Sequence, residues 1–171
     1  MMDKREKLKK STIKLARSAI IGALYFVLTY FLAPISYGPL QFRVAEAFTL
    51  LPLLFPEAIV GLSIGCLLAN VFSAYGWYDM VFGTLATLIS AVLTYLIGRW
   101  LREKKLVFRA LIGSIPPILV NAILLPLIWL LFSGDTMYWL NFAMILATQT
   151  GTIIVIGTPL VMALDKAKLP R

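Results

Sequence analysis

The sequence predicts an all-α integral membrane protein, a single domain over residues 1–171 with six transmembrane helices. Hydrophobic residues make up 60% of the chain and charged residues only 14%, whereas a soluble domain carries roughly 25% charged residues. The apolar residues also come in long blocks rather than alternating stripes, as membrane helices require.

The first predicted span, residues 15–32, follows a basic segment, residues 1–14, and is ended by Pro34. Its length is close to the ~20 residues that a bilayer needs. Ala19 and Ala23 form a small-xxx-small pattern, which lets another helix backbone approach closely. That neighbour is either a helix of the same bundle or one of another subunit.

The five later predicted spans are residues 41–55, 57–74, 80–100, 107–132 and 138–164. Pro52 and Pro56 make the second span short, because a proline ring clashes with the preceding helical turn. Pro116, Pro117 and Pro126 interrupt the fifth span and are expected to kink it.

Basic residues predict the orientation. Seven Lys and Arg residues lie up to Arg17, five lie between Arg99 and Arg109, and three lie from Lys166 onward. Six spans place these 15 of the 16 basic residues on one side, which the positive-inside rule identifies as cytoplasmic, together with both termini. The exception is Arg43.

Arg43 belongs to a polar stretch with Gln41 and Glu46, which follows a Gly-Pro turn between two apolar segments. If this stretch is helical, Arg43 and Glu46 stand three residues apart and can pair. Charged residues inside a membrane are costly and usually functional, so a binding site is one interpretation. A salt bridge that only fixes the helix orientation is the other.

Four more polar residues lie within or at the edge of apolar spans and are candidate ligand contacts: Asn70, Asp79, Asn121 and Gln149. Asp79 also stands near the N-terminus of the fourth span, where an acid suits the helix dipole. Asn121 lies one turn after Pro117, where its amide can satisfy a carbonyl freed by the kink. We rank Glu46 and Gln149 above these two.

The sequence also excludes several classes of protein. It contains no histidine and one cysteine, Cys66, so we expect no metal or haem site and no cofactor. No Walker, HExxH or GxSxG motif is present, so we expect no enzyme of those types. The basic residues lack the aromatic interleaving of a nucleic-acid surface, so nucleic acid is not an expected partner.

Three segments carry a family resemblance: Ile35–Ala47, Gly65–Asn70 and Asp79–Thr87. With the six-span layout, they make the chain resemble the substrate-binding S component of an energy-coupling factor (ECF) transporter, a type of ABC transporter complex. The similarity is to the QueT type, which handles queuosine precursors, and it extends over nearly the whole chain. Thr148 and Gln149 stand where the family has a glycine and an acidic residue.

This resemblance implies an S-component bundle in the cell membrane that captures a 7-deazaguanine, either the aminomethyl precursor or queuine. It would assemble with a transmembrane scaffold subunit and two ATPase subunits, docking through Ala19 and Ala23. A guanine-like ring offers donors that Glu46 can accept and an acceptor that an amide or Arg43 can serve. Trp77 or Tyr37 would stack on the base. Two alternatives are an S component for another vitamin-like ligand and, less favoured, a small enzyme acting on lipid.

Overall fold

The described part of the chain is entirely helical, as the sequence predicts. The computed structural model describes residues 4–37, 41–73 and 75–167. Seven helices lie within these ranges: α1 (Lys4–Phe31), α2 (Ala33–Ser36), α3 (Val44–Leu53), α4 (Ala58–Asn70), α5 (Asp79–Trp100), α6 (Leu106–Ser133) and α7 (Tyr138–Lys166). The predicted Gly38-Pro39 turn lies outside the described residues.

Four of these helices are long and apolar enough to cross a membrane: α1, α5, α6 and α7. The prediction of six spanning helices is therefore confirmed only in part. Helix α4 has 13 residues, which is about 20 Å at 1.5 Å per residue. The hydrocarbon core of a bilayer is about 30 Å thick. Helix α3 is a 3₁₀ helix of 10 residues, so it is too short as well.

Helix α3 lies inside the bundle. Eight of its ten residues are buried, and it contacts α1, α4, α5, α6 and α7. A 3₁₀ run of this length is unusual, because its hydrogen bonds have poorer geometry than those of an α-helix. Packing on all sides by five longer helices is therefore what holds α3 in place.

Glycines bring α1 and α4 into close contact. A Cβ atom at Gly22 would lie 2.8 Å from the carbonyl oxygen of Gly61, and one at Gly65 would lie 2.6 Å from that of Gly22. Both distances are shorter than any real contact, so these two helices touch backbone to backbone. The buried face of α1 is completed by polar residues, including Ser18, Tyr25 and Thr29.

Ala19 and Ala23 do not take part in this packing. Both are exposed, on the face of α1 that points away from α4. The sequence left two roles open for this pair, packing within the same bundle or contact with another subunit. The described helices do not use the pair for packing within the bundle. The internal contact uses the glycine face of α1 instead.

Three of the longer helices contain irregular turns. Wide π-helical turns occupy Asp79–Gly83, Trp129–Ser133 and Thr152–Gly157, and such turns are frequent at functional sites. Helix α6 is also interrupted at Ser114, just before Pro116 and Pro117, as the sequence predicts. The turn in α7 packs against α3, and the turns in α5 and α6 carry Asp79 and Trp129, which are hydrogen-bonded to each other.

The close approach of α1 and α4 predicts a contrast between two glycine-to-alanine substitutions. Gly65→Ala places a methyl group against the α1 backbone and should destabilise the fold by about 1–3 kcal/mol, the usual cost of overpacking. Gly151→Ala is the control, because a Cβ there meets nothing within 4 Å. Melting temperatures of the purified variants in detergent test this prediction, and equal values would contradict the close contact.

Candidate functional site

The N-terminal end of α3 is surrounded by buried polar side chains. Gln41 and Arg43 lie in the segment before α3, and Glu46 lies in its first turn; each is at most 5% exposed. Gln41 has a φ of +47°, a conformation that residues other than glycine adopt rarely. Backbone strain of this kind concentrates at ligand sites.

Arg43 is paired across the bundle rather than along its own helix. Its Nη1 atom donates to Oδ1 of Asn70 at 3.1 Å, and its Nη2 atom lies 3.6 Å from Oδ2 of Asp79. The predicted pairing of Arg43 with Glu46 is therefore wrong. Arg43 precedes the helix with extended dihedral angles, so the i, i+3 spacing of helical residues does not apply to it.

Asp79 lies behind Arg43, in a fully buried position. Its carboxylate also accepts hydrogen bonds from Oγ of Ser73 at 2.6 Å and from Nε1 of Trp129 at 2.9 Å. These contacts give both oxygens a partner, so Asp79 holds Arg43 and links α5 to α6. Asp79 also lies in the first turn of α5, where its charge suits the helix dipole as the sequence predicts.

Asn70 connects the same set of groups. Its Nδ2 atom donates to the backbone carbonyl of Asp79 at 2.9 Å, while its oxygen accepts from Arg43. Gly83 makes room for it, since a Cβ there would lie 2.7 Å from Nδ2 of Asn70. Asn70 therefore fixes the orientation of the guanidinium group.

Glu46 has a separate set of partners. The hydroxyl of Tyr25, on α1, donates to its Oε1 atom at 2.5 Å, and Nδ2 of Asn121, on α6, donates to its Oε2 atom at 3.4 Å. Asn121 therefore bonds a carboxylate rather than a carbonyl freed by the proline kink. Glu46 is 2% exposed and ties α1, α3 and α6 together.

A small cavity lies between these groups. Its volume is about 10 Å³, which is room for about one water molecule. Nine residues line it: Gln41, Arg43, Glu46, Gly83, Thr87, Asn121, Leu125, Ile145 and Gln149.

Three polar atoms on this wall have no hydrogen-bond partner among the described residues. They are the side-chain oxygens of Gln41 and Gln149 and the Nε atom of Arg43. A buried polar group without a partner costs about 1–3 kcal/mol, so its presence calls for an explanation. A molecule in the cavity that both donates and accepts hydrogen bonds would supply all three partners.

The two aromatic candidates lie elsewhere. Trp77 is 57% exposed and packs on Tyr78 at 4.1 Å between ring centroids. Tyr37 has its ring 5.6 Å from the guanidinium carbon of Arg43, and its hydroxyl donates to the carbonyl of Ala69. Burial raises the pKa of Tyr37, which favours the protonated donor. Neither residue lines the cavity.

Of the predicted contacts, Gln41, Arg43, Glu46, Asn121 and Gln149 are brought together at the cavity, and Asn70 and Asp79 stand directly behind it. Whether they bind ligand stays a prediction. Sequence reasoning missed Tyr25, Thr87 and Trp129, the last of which stacks on Tyr75 at 4.2 Å. The signal for Tyr25 was present, because it lies on the same helical face as Gly22 and Thr29.

Comparison with known proteins decides the family. Residues 15–166 match the model of the QueT transporter family. The chain belongs to that family. It is accordingly a transporter-family protein and not an enzyme, which confirms two of the predictions, and its long apolar helices fit a membrane location.

One curated relative of this family member is the queuosine precursor transporter QueT of Lactococcus lactis subsp. cremoris strain MG1363. The two are 39% identical over 83 residues, which is 47% of this chain and 48% of the relative. The match thus spans about half the length of that relative. No solved structure matches the chain.

The buried ion pair predicts an asymmetry between single and double substitutions. Arg43→Gln leaves Asp79 charged and buried without a counter-ion, and should cost about 3–5 kcal/mol of folding free energy. Arg43→Gln combined with Asp79→Asn removes both charges and should restore part of that loss. The matched control is Arg102→Gln, whose ion pair with Glu103 is exposed and worth about 0–1 kcal/mol.

Unfolding of the purified proteins by denaturant measures these differences. A double variant that is less stable than Arg43→Gln alone would contradict the assignment of Asp79 as the counter-ion.

Proposed function

We propose that this protein is the substrate-binding S component of an ECF transporter and captures a queuosine precursor, a 7-deazaguanine. The observation that carries the proposal is the buried cavity at the N-terminal end of α3, where a carboxylate, three side-chain amides and a guanidinium meet. Family membership supports the transport role, and the name of the Lactococcus lactis relative supports the class of substrate.

The side chains that line the cavity offer hydrogen-bond groups that match those of a guanine-like base. The carboxylate of Glu46 can accept from the ring N–H and amino group of such a base, which lie side by side. The side-chain amide of Asn121 or Gln149, or Nε of Arg43, can donate to its carbonyl oxygen. Leu125 and Ile145 provide apolar surface for the ring faces, in place of the predicted aromatic stacking by Trp77.

The cavity as it stands holds about one water molecule, so a base can enter only if the walls move apart. We expect the side chains of Arg43, Asn70 and Asp79 to stay in place when the walls move, because they are bonded to one another. Only Arg43 among them lines the cavity. Gln41 and Gln149 have unpartnered oxygens and are therefore the side chains with least to lose on moving. We expect ligand binding to order these two amides.

Glu46→Gln tests the pocket. It keeps the shape of the side chain but removes the charge and one of the acceptor positions, so binding of a 7-deazaguanine should weaken by about 1.5–3 kcal/mol. Calorimetric titration of the purified variant measures this change. Trp77→Ala is the control and should leave the affinity unchanged, because Trp77 lies away from the cavity.

The melting temperature without ligand separates the two roles of Glu46. Unchanged affinity with a lowered melting temperature would make Glu46 a structural residue. A parallel thermal-shift screen with common vitamins and lipids covers the alternative ligands, since only a molecule that binds the folded state raises the melting temperature.

We further propose that the exposed Ala19 and Ala23 face of α1 docks on the transmembrane scaffold subunit, which works with two ATPase subunits. Small side chains let helix backbones approach, and this face is left uncovered by the bundle. Since the cavity lies on the other side of α1, behind Tyr25, docking and ligand capture use separate surfaces.

Ala19→Trp combined with Ala23→Trp should abolish co-purification with the scaffold and uptake in cells, while ligand binding by the isolated protein persists. Helix α7 supplies a matched control, because Ala143 and Ala147 are also exposed and four residues apart. Ala143→Trp with Ala147→Trp should leave assembly intact. Loss of assembly in the α7 variant alone would move the docking face to α7.

We propose that both termini and the α5–α6 connection face the cytoplasm, as the basic residues predict. Single cysteines test this in a Cys66→Ala background. Thr136→Cys, in the exposed α6–α7 connection, should react with a membrane-impermeant reagent outside intact cells, and Lys104→Cys should not. The reverse labelling pattern would invert the topology.

A further inference from the structure

A second and larger cavity lies at the opposite end of α3 from the candidate site. Its volume is about 240 Å³, against about 10 Å³ for the first. The lining residues come from the end of α3, the end of α5 and the start of α6: Pro52, Leu53, Leu54, Pro56, Tyr95, Gly98, Arg99, Arg102 and Arg109.

Three arginines face this cavity. Arg109 is half-buried and donates from Nη2 to the carbonyl of Leu53 at 3.1 Å. Arg99 and Arg102 are exposed at the rim. No carboxylate is among the described residues that line the cavity, so the lining side chains themselves carry a net positive charge.

One acidic contact at the rim, that of Arg102 with Glu103, is weak. Glu103 pairs with Arg102 at 3.0 Å, but the two side chains are 85% and 79% exposed. An exposed ion pair contributes only about 0–1 kcal/mol to stability. An anion can therefore displace Glu103 from Arg102. Arg99 contacts only a neutral group among its recorded hydrogen-bond partners, the hydroxyl of Tyr95 at 3.4 Å.

A glycine, Gly98, lies in the wall of this cavity beside Leu53 and Arg109. A Cβ atom at Gly98 would lie 2.8 Å from Cδ2 of Leu53 and 3.5 Å from Nη2 of Arg109. The absence of a side chain at Gly98 therefore lets Leu53, at the end of α3, pack closely on α5, and the Arg109 guanidinium lies beside this contact. There it is fixed by the Leu53 carbonyl and directed at the cavity.

The cavity lies at the end of α5, where a membrane-spanning helix would reach the membrane interface. Trp100 is 81% exposed and Leu96 is 51% exposed, at the end of a helix that is long and apolar enough to span a bilayer. Tryptophan is enriched at the level of lipid headgroups, and arginine side chains near helix ends extend toward the same level. The three guanidinium groups therefore lie where phospholipid phosphates lie.

We infer that this cavity is a binding site for a phosphate group, with the headgroup of an anionic phospholipid as its expected source. Guanidinium groups match phosphate oxygens with paired hydrogen bonds. Basic pockets between membrane helices bind anionic headgroups in this way. The cavity shares α3 with the candidate ligand site but none of its lining residues, so the inference does not depend on the proposed function.

The test compares three versions of the full-length protein in lipid nanodiscs. Their melting temperatures are measured in phosphatidylcholine alone, and with increasing fractions of phosphatidylglycerol. The site variant is Arg99→Gln with Arg102→Gln. The matched control is Lys104→Gln with Lys105→Gln, which removes the same charge at nearby exposed residues that do not line the cavity.

Phosphatidylglycerol should raise the melting temperature of the unaltered protein and of the lysine variant. The arginine variant should need an about tenfold higher fraction of this lipid for the same rise, since a hydrogen bond to a charged group is worth about a factor of ten or more. Both altered residues are exposed, so the variant should fold, and its melting temperature in phosphatidylcholine verifies this.

Inorganic phosphate, added to the protein in detergent at millimolar concentration, distinguishes the two sources. An arginine-dependent rise with phosphate would support the same site with a soluble phosphate as its ligand. Equal responses of all three proteins to phosphatidylglycerol, with no response to phosphate, would overturn the inference. The arginines would then serve membrane orientation or a partner protein.

Discussion

The constraint on which the structure depends is the burial of Arg43. A guanidinium keeps its charge at any accessible pH, and in an apolar interior it must have a counter-ion and hydrogen-bond partners. Asp79 supplies the charge and Asn70 the acceptor. Because these partners lie at the ends of two other helices, their pairing with Arg43 fixes how the segment before α3 enters the bundle.

Helix α3 is the central element around which the other helices pack. It is too short to span a bilayer and has an unfavourable 3₁₀ geometry, yet it is surrounded by five helices and almost fully buried. Its first turn carries Glu46 between Tyr25 and Asn121, and its last residue accepts a hydrogen bond from Arg109. The two cavities therefore lie at the two ends of one buried element.

The candidate site combines a rigid part and an adaptable part. Asp79, Asn70 and Arg43 are bonded to one another and to Trp129 and Ser73, so their positions are mutually fixed. Gln41 and Gln149 instead present unpartnered oxygens to a nearly closed cavity. An arrangement of this kind suits the proposed capture and release of a base, because the groups that would recognise it need not all move.

The sequence by itself determined the apolar, helical class of the fold and the buried charged and amide side chains. It did so because apolar blocks have no other stable arrangement in lipid, and because a polar group inside such a block must have a partner. It also determined the family resemblance, through segments that the family model matches. Five of the predicted ligand contacts lie together at the cavity for the same reason.

The tertiary structure decided which groups are partners. The sequence placed Arg43 beside Glu46 because it assumed a helix beginning at Gln41, whereas packing against α4 and α5 holds Arg43 in an extended conformation that reaches Asp79 instead. The lengths of α3 and α4 depended on prolines and on the turns around them. The two apolar segments that the sequence predicted to span the membrane therefore form short helices instead. The roles of Tyr25 and Trp129 arise from side chains of distant helices meeting in the interior. Sequence spacing can place Tyr25 on the buried face of α1, but it does not identify the partner that either residue meets there.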